Sequence, residues 1–286
     1  MSKVMPEQVI NPGTPNHKLP QPYQDPSLTQ NQPQNSSQSP ISTLYTEPKT
    51  LSEGFLACMM PICGSNKTSC TQIELTIFYK LKRKSDVQIT KDYDDLFRRI
   101  WASLLNEQLE EIENERWQNF GFQNRNPRSD IRGGGLLALE QLVYFSENYS
   151  ENARHMSDPG YQFFFGISSV NISFFLRKYY HMLEDHLIPK DKFKISGRKS
   201  FKSLMLILES DEQALNKIHG MLLIDLLIVW EEVKAKKQGI TIMDFQKVID
   251  LLTSKFVKAN NGIIYRTFEE LKQAYAKIPT KVPKKF

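Results

Sequence analysis

Cysteine is scarce in this chain, and the three present, Cys58, Cys63 and Cys70, lie within thirteen residues of one another. An odd count with no histidine beside it excludes a complete disulfide framework and lacks the paired spacing of a zinc site, so free thiols are expected. Long apolar runs are also missing. The two longest, Phe163–Phe175 and Met221–Trp230, are too short to span a bilayer, and Asp225 interrupts the second. The start is polar and proline-rich, unlike a secretory leader. Charge of one sign does not dominate: 37 Lys and Arg face 32 Asp and Glu, a net charge of +5. Basic residues interleaved with aromatics, as a nucleic-acid module would show, are absent, which sets nucleic acid aside as a partner. Catalytic constellations are lacking as well. Gly133-Gly134-Gly135 is followed by no Gly-Lys-Ser/Thr and is no P-loop. His181 and His186 are five apart and diverge on a helix, so no metal site is expected there. Without a Ser/His/Asp, Cys/His or paired-carboxylate set, the chain has no case as a self-contained hydrolase, and no cofactor is expected.

What is present divides unevenly. Nine of fifteen prolines and many Gln, Asn and Ser fall in residues 1–50. A segment so poor in large apolar residues cannot repay its ordering entropy and reads as a disordered tail. Its Pro12-x-x-Pro15 pair lacks the basic neighbour expected of an SH3 ligand. Residues 51–286 read as one helical domain. Tyr93, Leu96, Phe97, Ile100, Trp101, Leu104, Leu105, Leu109 and Ile112 recur at helical steps. Leu136, Leu139, Leu142 and Val143 follow the glycines, and Leu215, Ile218, Leu222, Leu226, Trp230 and Val233 mark a helix apolar enough round its middle to be buried. Ile242, Phe245, Val248, Ile249, Leu252 and Phe256 mark another, with Thr241 as N-cap and Asp244 in its first turn. Thr267-x-x-Glu270 has capping-box spacing for a last short helix. Only Ile73–Tyr79 alternates like a strand, and a strand without a partner makes no sheet, so a helix is an equal reading there. The fold class is all-α. Two basic clusters, Lys190 to Lys202 and Lys281 to Lys285, are solvated by default; attraction to an acidic membrane surface is the sharper reading.

One stretch, Trp117 to Leu136, carries more than a periodicity. It sets Arg132 between a turn containing Pro127 and Asp130 and the glycine run that opens an apolar helix. Arginine is permanently charged and presents a planar fork suited to phosphate oxygens. The same residues suit a helix start with a buried ion pair, Asp130 and Arg132 pointing the same way on an extended segment. Trp117, Phe122, Leu137, Leu139, Leu142 and Phe145 read as core; Gly121, Gly133 and Gly135 read as backbone or close-packing requirements.

The pattern Trp-x3-Gly-Phe-Gln-x3-Pro-x-Ser-Asp-Ile-Arg-Gly-x-Gly-Leu-Leu-Ala-Leu-x2-Leu-x-Tyr-Phe from Trp117 to Phe145 resembles the signature of the ELMO-domain (engulfment and cell motility) family. Gly160-Tyr161-x-Phe163 with Val170-Asn171-Ile172-Ser173, and Trp230-Glu231-Glu232 with Ile242-Met243-Asp244-Phe245, fit its later segments in order. The resemblance covers about residues 92–258. The family includes long adaptors that partner DOCK exchange factors, which this chain is too short to resemble. It also includes short ELMO-domain-containing proteins that activate Arf and Arf-like GTPases, whose Asp-x-Arg-Gly context is matched by Asp130-Ile131-Arg132-Gly133 and missing from the adaptors. The resemblance therefore implies a GTPase-activating protein with Arg132 as its catalytic arginine, supplied to a GTP-bound Arf-family partner. Asp130, Gln123, Gly133, Gly135 and Asn171 would support the loop or the partner, and Trp117, Gly121, Phe122 and Pro127 would build the motif. Such a protein acts on a partner enzyme rather than as a complete catalyst. The alternative is a non-catalytic scaffold or effector on the same helical domain. The expected setting is cytoplasmic, with association to membranes, cilia or cytoskeleton left open. Asn124 stands where the family pattern has glycine, Ser129 for threonine, Ile131 for phenylalanine and Ala138 for glycine; Ser129 is expected to keep a hydroxyl N-cap.

Overall fold

The helices follow from where the apolar residues fall and where the backbone is stopped. In the computed structural model, which describes residues 72–161, 163–183, 197–237, 242–280 and 282, no strand occurs among the described residues. Eleven α-helices do: α1 Gln72–Asp86, α2 Asp94–Leu105, α3 Arg116–Asn119, α4 Arg128–Ile131, α5 Gly135–Asn148, α6 Ser150–Met156, α7 Phe165–Tyr179, α8 Arg198–Ser210, α9 Ala214–Lys236, α10 Ile242–Asn260 and α11 Phe268–Ala276. All described residues lie in one unit, Ser52–Phe286. The tail of residues 1–50, the three cysteines, Thr241, His186, Lys190, Lys192 and Lys194 of the first basic cluster and Lys281, Lys284 and Lys285 of the second lie outside the described residues.

The Ile73–Tyr79 stretch belongs to α1, whose Phe78 is buried and packs edge-on to Phe201 of α8 with ring centroids 5.0 Å apart. In α2, Leu96, Phe97, Ile100, Trp101 and Leu104 form the buried stripe, and Asp94 and Asp95 sit at the positive end of its dipole. The helix is shorter than its apolar spacing suggests. Asn106 takes a left-handed conformation (φ 57°), its N–H bonds to the Ala102 carbonyl, and the chain leaves the helix there. Leu109 and Ile112 are still buried, but from an irregular segment.

The core is built around α5, α7 and α9, each packed on the other two. In α5 and α7 nearly every face is covered. The middle of α9 departs from expectation: Leu222, Leu223, Leu226, Leu227, Val229 and Trp230 are buried, but Ile228 is 55% exposed. The helices α1 and α2 cover α5, and α10 and α11 close over α9. The last helix carries the expected cap. Thr267 Oγ1 accepts from the Glu270 N–H, while the Glu270 carboxylate accepts from the Arg266 N–H, one residue before the reciprocal position of a capping box.

Candidate functional site

The Trp117–Leu136 stretch folds as a loop pinned at both ends. Trp117 is fully buried, donates from Nε1 to the Ile112 carbonyl, and meets Trp101 and Phe122 edge-on at 5.1 and 5.2 Å. Aromatic pairs in this geometry add to what their burial contributes. Gly121 has φ +80°, and a Cβ there would fall 2.5 Å from the Phe164 carbonyl carbon. That contact lets the first turn of α7 reach the loop: Gly166 N–H donates to the Phe120 carbonyl and Ile167 N–H to the Gly121 carbonyl. Phe122 in turn lies flat where a Gly166 side chain would be. Pro127, buried, precedes the short helix α4 and accepts from the Asp130 N–H.

Asp130 ties the loop together. Its Oδ2 accepts from the Gln123 and Asn124 backbone N–H groups at 2.6 and 3.2 Å, and its Oδ1 accepts from the Asn124 amide and the Ser129 hydroxyl at 2.7 and 3.2 Å. Gln123 therefore enters through its main chain; its exposed side chain is not what holds Asp130. Asn124 contributes a bond that glycine could not. Ser129 is not an N-cap: it lies inside α4, and its hydroxyl bonds the Asn126 carbonyl, while the Asn126 side chain accepts from the Arg128 N–H at the helix start.

The segment carrying Asp130 and Arg132 is helical rather than extended, with Arg132 at φ −47°, ψ −38°. Two residues along a helix turn by about 200°, so the two side chains diverge. Arg132 is exposed and donates from Nε to the Ser129 carbonyl at 2.7 Å. Among the described residues it forms no salt bridge, and its two terminal amino groups are unengaged. The structural ion pair of the loop belongs instead to Arg128, whose fork grips Asp94 of α2 through Nε at 2.7 Å and Nη2 at 2.6 Å, both side chains mostly covered.

The glycines behind Arg132 differ from one another. Gly135 has φ +60°, and a Cβ would fall 2.3 Å from the Ser85 carbonyl oxygen at the end of α1. Gly134 is close-packed too, against Ala138. Gly133, by contrast, is exposed, has no positive φ, and a Cβ there would meet nothing within 4 Å among the described residues. Packing does not explain glycine at that position. Its carbonyl accepts from Nη1 of Arg177, a buried arginine of α7 whose Nη2 bonds Asp86 at 3.0 Å. Burial pulls the Arg177 guanidinium below its ordinary value, and Asp86 opposes that. Neither residue was singled out by motif, because Asp86, Gly133 and Arg177 are far apart in the chain.

The structure thus brings Gln123, Asp130, Arg132 and Gly133 together. Gly121, Phe122 and Trp117 lie beneath them, and Gly135 stands at the junction with α1. Asn171 is half-exposed on α7 beside Ile167 and Phe174, and among the described residues it bonds none of the loop. No group of three or more His, Cys, Asp or Glu side chains that could hold a metal occurs among the described residues. None of the helices described is long and apolar enough to cross a membrane. Of the loop's arginines, Arg125 pairs with Glu115 and Arg128 with Asp94, which leaves Arg132 as the cation without an ion pair among the described residues, chemistry that suits an anionic group brought to it.

The family model for ELMO/CED-12 matches residues 79–249, beginning inside α1. The chain is 30% identical over 124 residues to human (Homo sapiens) ELMO domain-containing protein 2, covering 42% of each. It is 30% identical over 141 residues to ELMO domain-containing protein B of Dictyostelium discoideum, covering 46% of this chain and 47% of that one. Against Ankyrin repeat and ELMO domain-containing protein D of the same organism it is 29% identical over 162 residues, 55% of this chain and 12% of the relative. In each case the match spans less than half of the relative's own length. No solved structure matches.

Proposed function

We propose, for a chain that belongs to the ELMO/CED-12 family, that it activates GTP hydrolysis by an Arf or Arf-like small GTPase, with Arg132 supplied in trans to the GTP-bound partner. The observation that supports this reading is the state of Arg132: exposed, held by one bond from Nε, with both terminal amino groups unengaged among the described residues. Phosphoryl transfer spreads negative charge over the phosphate oxygens as the bond to the leaving group breaks, and a guanidinium fork offsets that charge. The partner would supply magnesium, the phosphate cradle and the residue that positions water. A single cation on a stiff support is all that the activator must add. An arginine in this role raises the rate by roughly three to five orders of magnitude, about 4–7 kcal/mol of barrier.

The test is single-turnover GTP hydrolysis by a panel of purified Arf and Arf-like GTPases. Wild-type protein should accelerate at least one member. Arg132→Lys, which keeps the charge but loses the fork, should abolish that acceleration while the melting temperature stays within a degree or two, since only the Ser129 carbonyl loses a donor. Acceleration that survives the substitution would remove Arg132 from the chemistry. Binding without acceleration by any member would leave a non-catalytic scaffold. The basic residues of 190–202 and 281–285 add attraction to an acidic membrane surface in this reading. Binding to phosphatidylserine-containing vesicles should weaken steeply between about 50 and 300 mM salt, and neutral vesicles should not bind.

A further inference from the structure

Behind the Arg132 loop lies a second arginine for which the proposed reaction has no use. Arg177 is 6% exposed, yet among the described residues two of its three guanidinium nitrogens have partners: Nη1 donates to the Gly133 carbonyl and Nη2 to Asp86, while Nε is buried without one. A buried cation with an incomplete set of bonds is a poor way to stabilise a fold, since a well-packed apolar side chain of similar volume commonly does as well or better. The arrangement does join three segments at one point. Arg177 comes from the last turn of the core helix α7, Asp86 ends α1, and Gly133 follows Arg132 directly.

The surroundings need such a joint. Gly133 and Gly134 carry no side chain to anchor the backbone, and Gly133 has open space around it. On the far side the last turn of α1 is itself fixed to α5, through the contact of the Ser85 carbonyl with Gly135 and through a Lys84–Glu140 salt bridge of 2.7 Å. Asp86 is therefore held in place, and it keeps the Arg177 fork aimed at the one carbonyl immediately after Arg132. We propose that Arg177 is a positioning residue: by gripping the Gly133 carbonyl it sets the backbone direction from which Arg132 enters the partner's phosphate site. This rests on the reading of Arg132 as the group supplied to the partner. Misplacement of a reacting group by about 1 Å can cost on the order of a hundredfold in rate.

The experiment compares wild type with Arg177→Met and Asp86→Asn on the most responsive GTPase of the panel. It measures the maximal rate at saturating activator (kcat), the activator concentration giving half that rate (KM), thermal melting, and hydrogen exchange at the Gly133, Gly134 and Gly135 amides. Methionine fills the space without the charge. Arg177→Met should melt at or above the wild-type temperature, leave KM within about twofold, lower kcat about 10–100-fold, and speed exchange at the three glycines. Asp86→Asn removes a half-exposed carboxylate without opening a cavity, and should lower kcat in the same direction by less. A purely structural Arg177 would instead lower melting temperature and binding together, and that result would overturn the proposal. So would an unchanged kcat in both variants of a protein whose wild type activates. If the wild type activates no GTPase, the activator reading itself has failed, and the positioning role falls with it.

Discussion

A carboxylate that accepts two backbone N–H groups, a side-chain amide and a hydroxyl, as Asp130 does, fixes the shape of a loop more firmly than any one neutral bond could. Asp130→Ala leaves the Gln123 and Asn124 N–H groups without that acceptor and should cost about 1–3 kcal/mol, read by urea denaturation. On the proposed function, activation should fall with it, because Asp130 holds the loop that carries Arg132. The glycines allow a sharper comparison at the same scale. Gly135→Ala forces a β-carbon into the Ser85 carbonyl at a positive φ, both unfavourable, and should destabilise by about 2–4 kcal/mol. Gly133→Ala places its methyl in open space at a negative φ, and should leave stability unchanged or raise it by up to about 1 kcal/mol. Two glycines that look equivalent in a Gly-Gly-Gly run thus differ by several kcal/mol, and parallel denaturation of the two variants reads the difference directly.

At the scale of elements, the helix ends decide more than the helix middles. Thr267 caps α11 by accepting from the Glu270 N–H, so Thr267→Ala should cost about 1 kcal/mol in denaturation while leaving the proposed GTPase activation untouched, because α11 packs chiefly on α9 and α10. This cap was legible in sequence, because three-residue spacing is a local signal. The buried stripe of α2 and the helices α9, α10 and α11 were legible for the same reason, as was the Trp117–Phe145 motif. The end of α2 was not. Apolar spacing runs on to Leu109 and Ile112, and only the left-handed turn at Asn106 separates helix from loop. For α1, a seven-residue alternation cannot by itself distinguish a strand from one face of a helix; the structure shows a helix whose Phe78 meets Phe201 of α8, a contact that no local pattern displays. The supports of the candidate site were the least legible. Arg128–Asp94 and Arg177–Asp86 join residues 34 and 91 positions apart, and such pairs leave no periodic trace.

Considered whole, the molecule keeps polar groups at its most buried level, where α7 meets α9. His219 is fully buried, its Nε2 lies 3.1 Å from both the Ser169 hydroxyl and the Ser169 carbonyl, and its Nδ1 has no partner among the described residues. The ring can be hydrogen-bonded only as the neutral form without burying an uncompensated charge. Burial pushes its pKa down from 6.5 to about 4, opposed by the Ser169 backbone bond. The sign follows from proton uptake. Between pH 6.5 and 4 the unfolded chain binds a proton at this histidine that the folded chain refuses, so stability falls as pH drops through that window and levels off below it. Above pH 7 the group contributes no slope. The full loss is on the order of 3 kcal/mol, about 2 kcal/mol of it by pH 5. Other groups titrate in the same range, so the comparison must be with His219→Gln, whose amide can still donate to the Ser169 carbonyl but takes up no proton. Urea midpoints measured from pH 7.5 to 4.5 should fall more steeply for wild type than for the variant, the curves converging toward low pH. Parallel curves would mean that His219 protonates in the folded core, and that α7 and α9 open there to admit water.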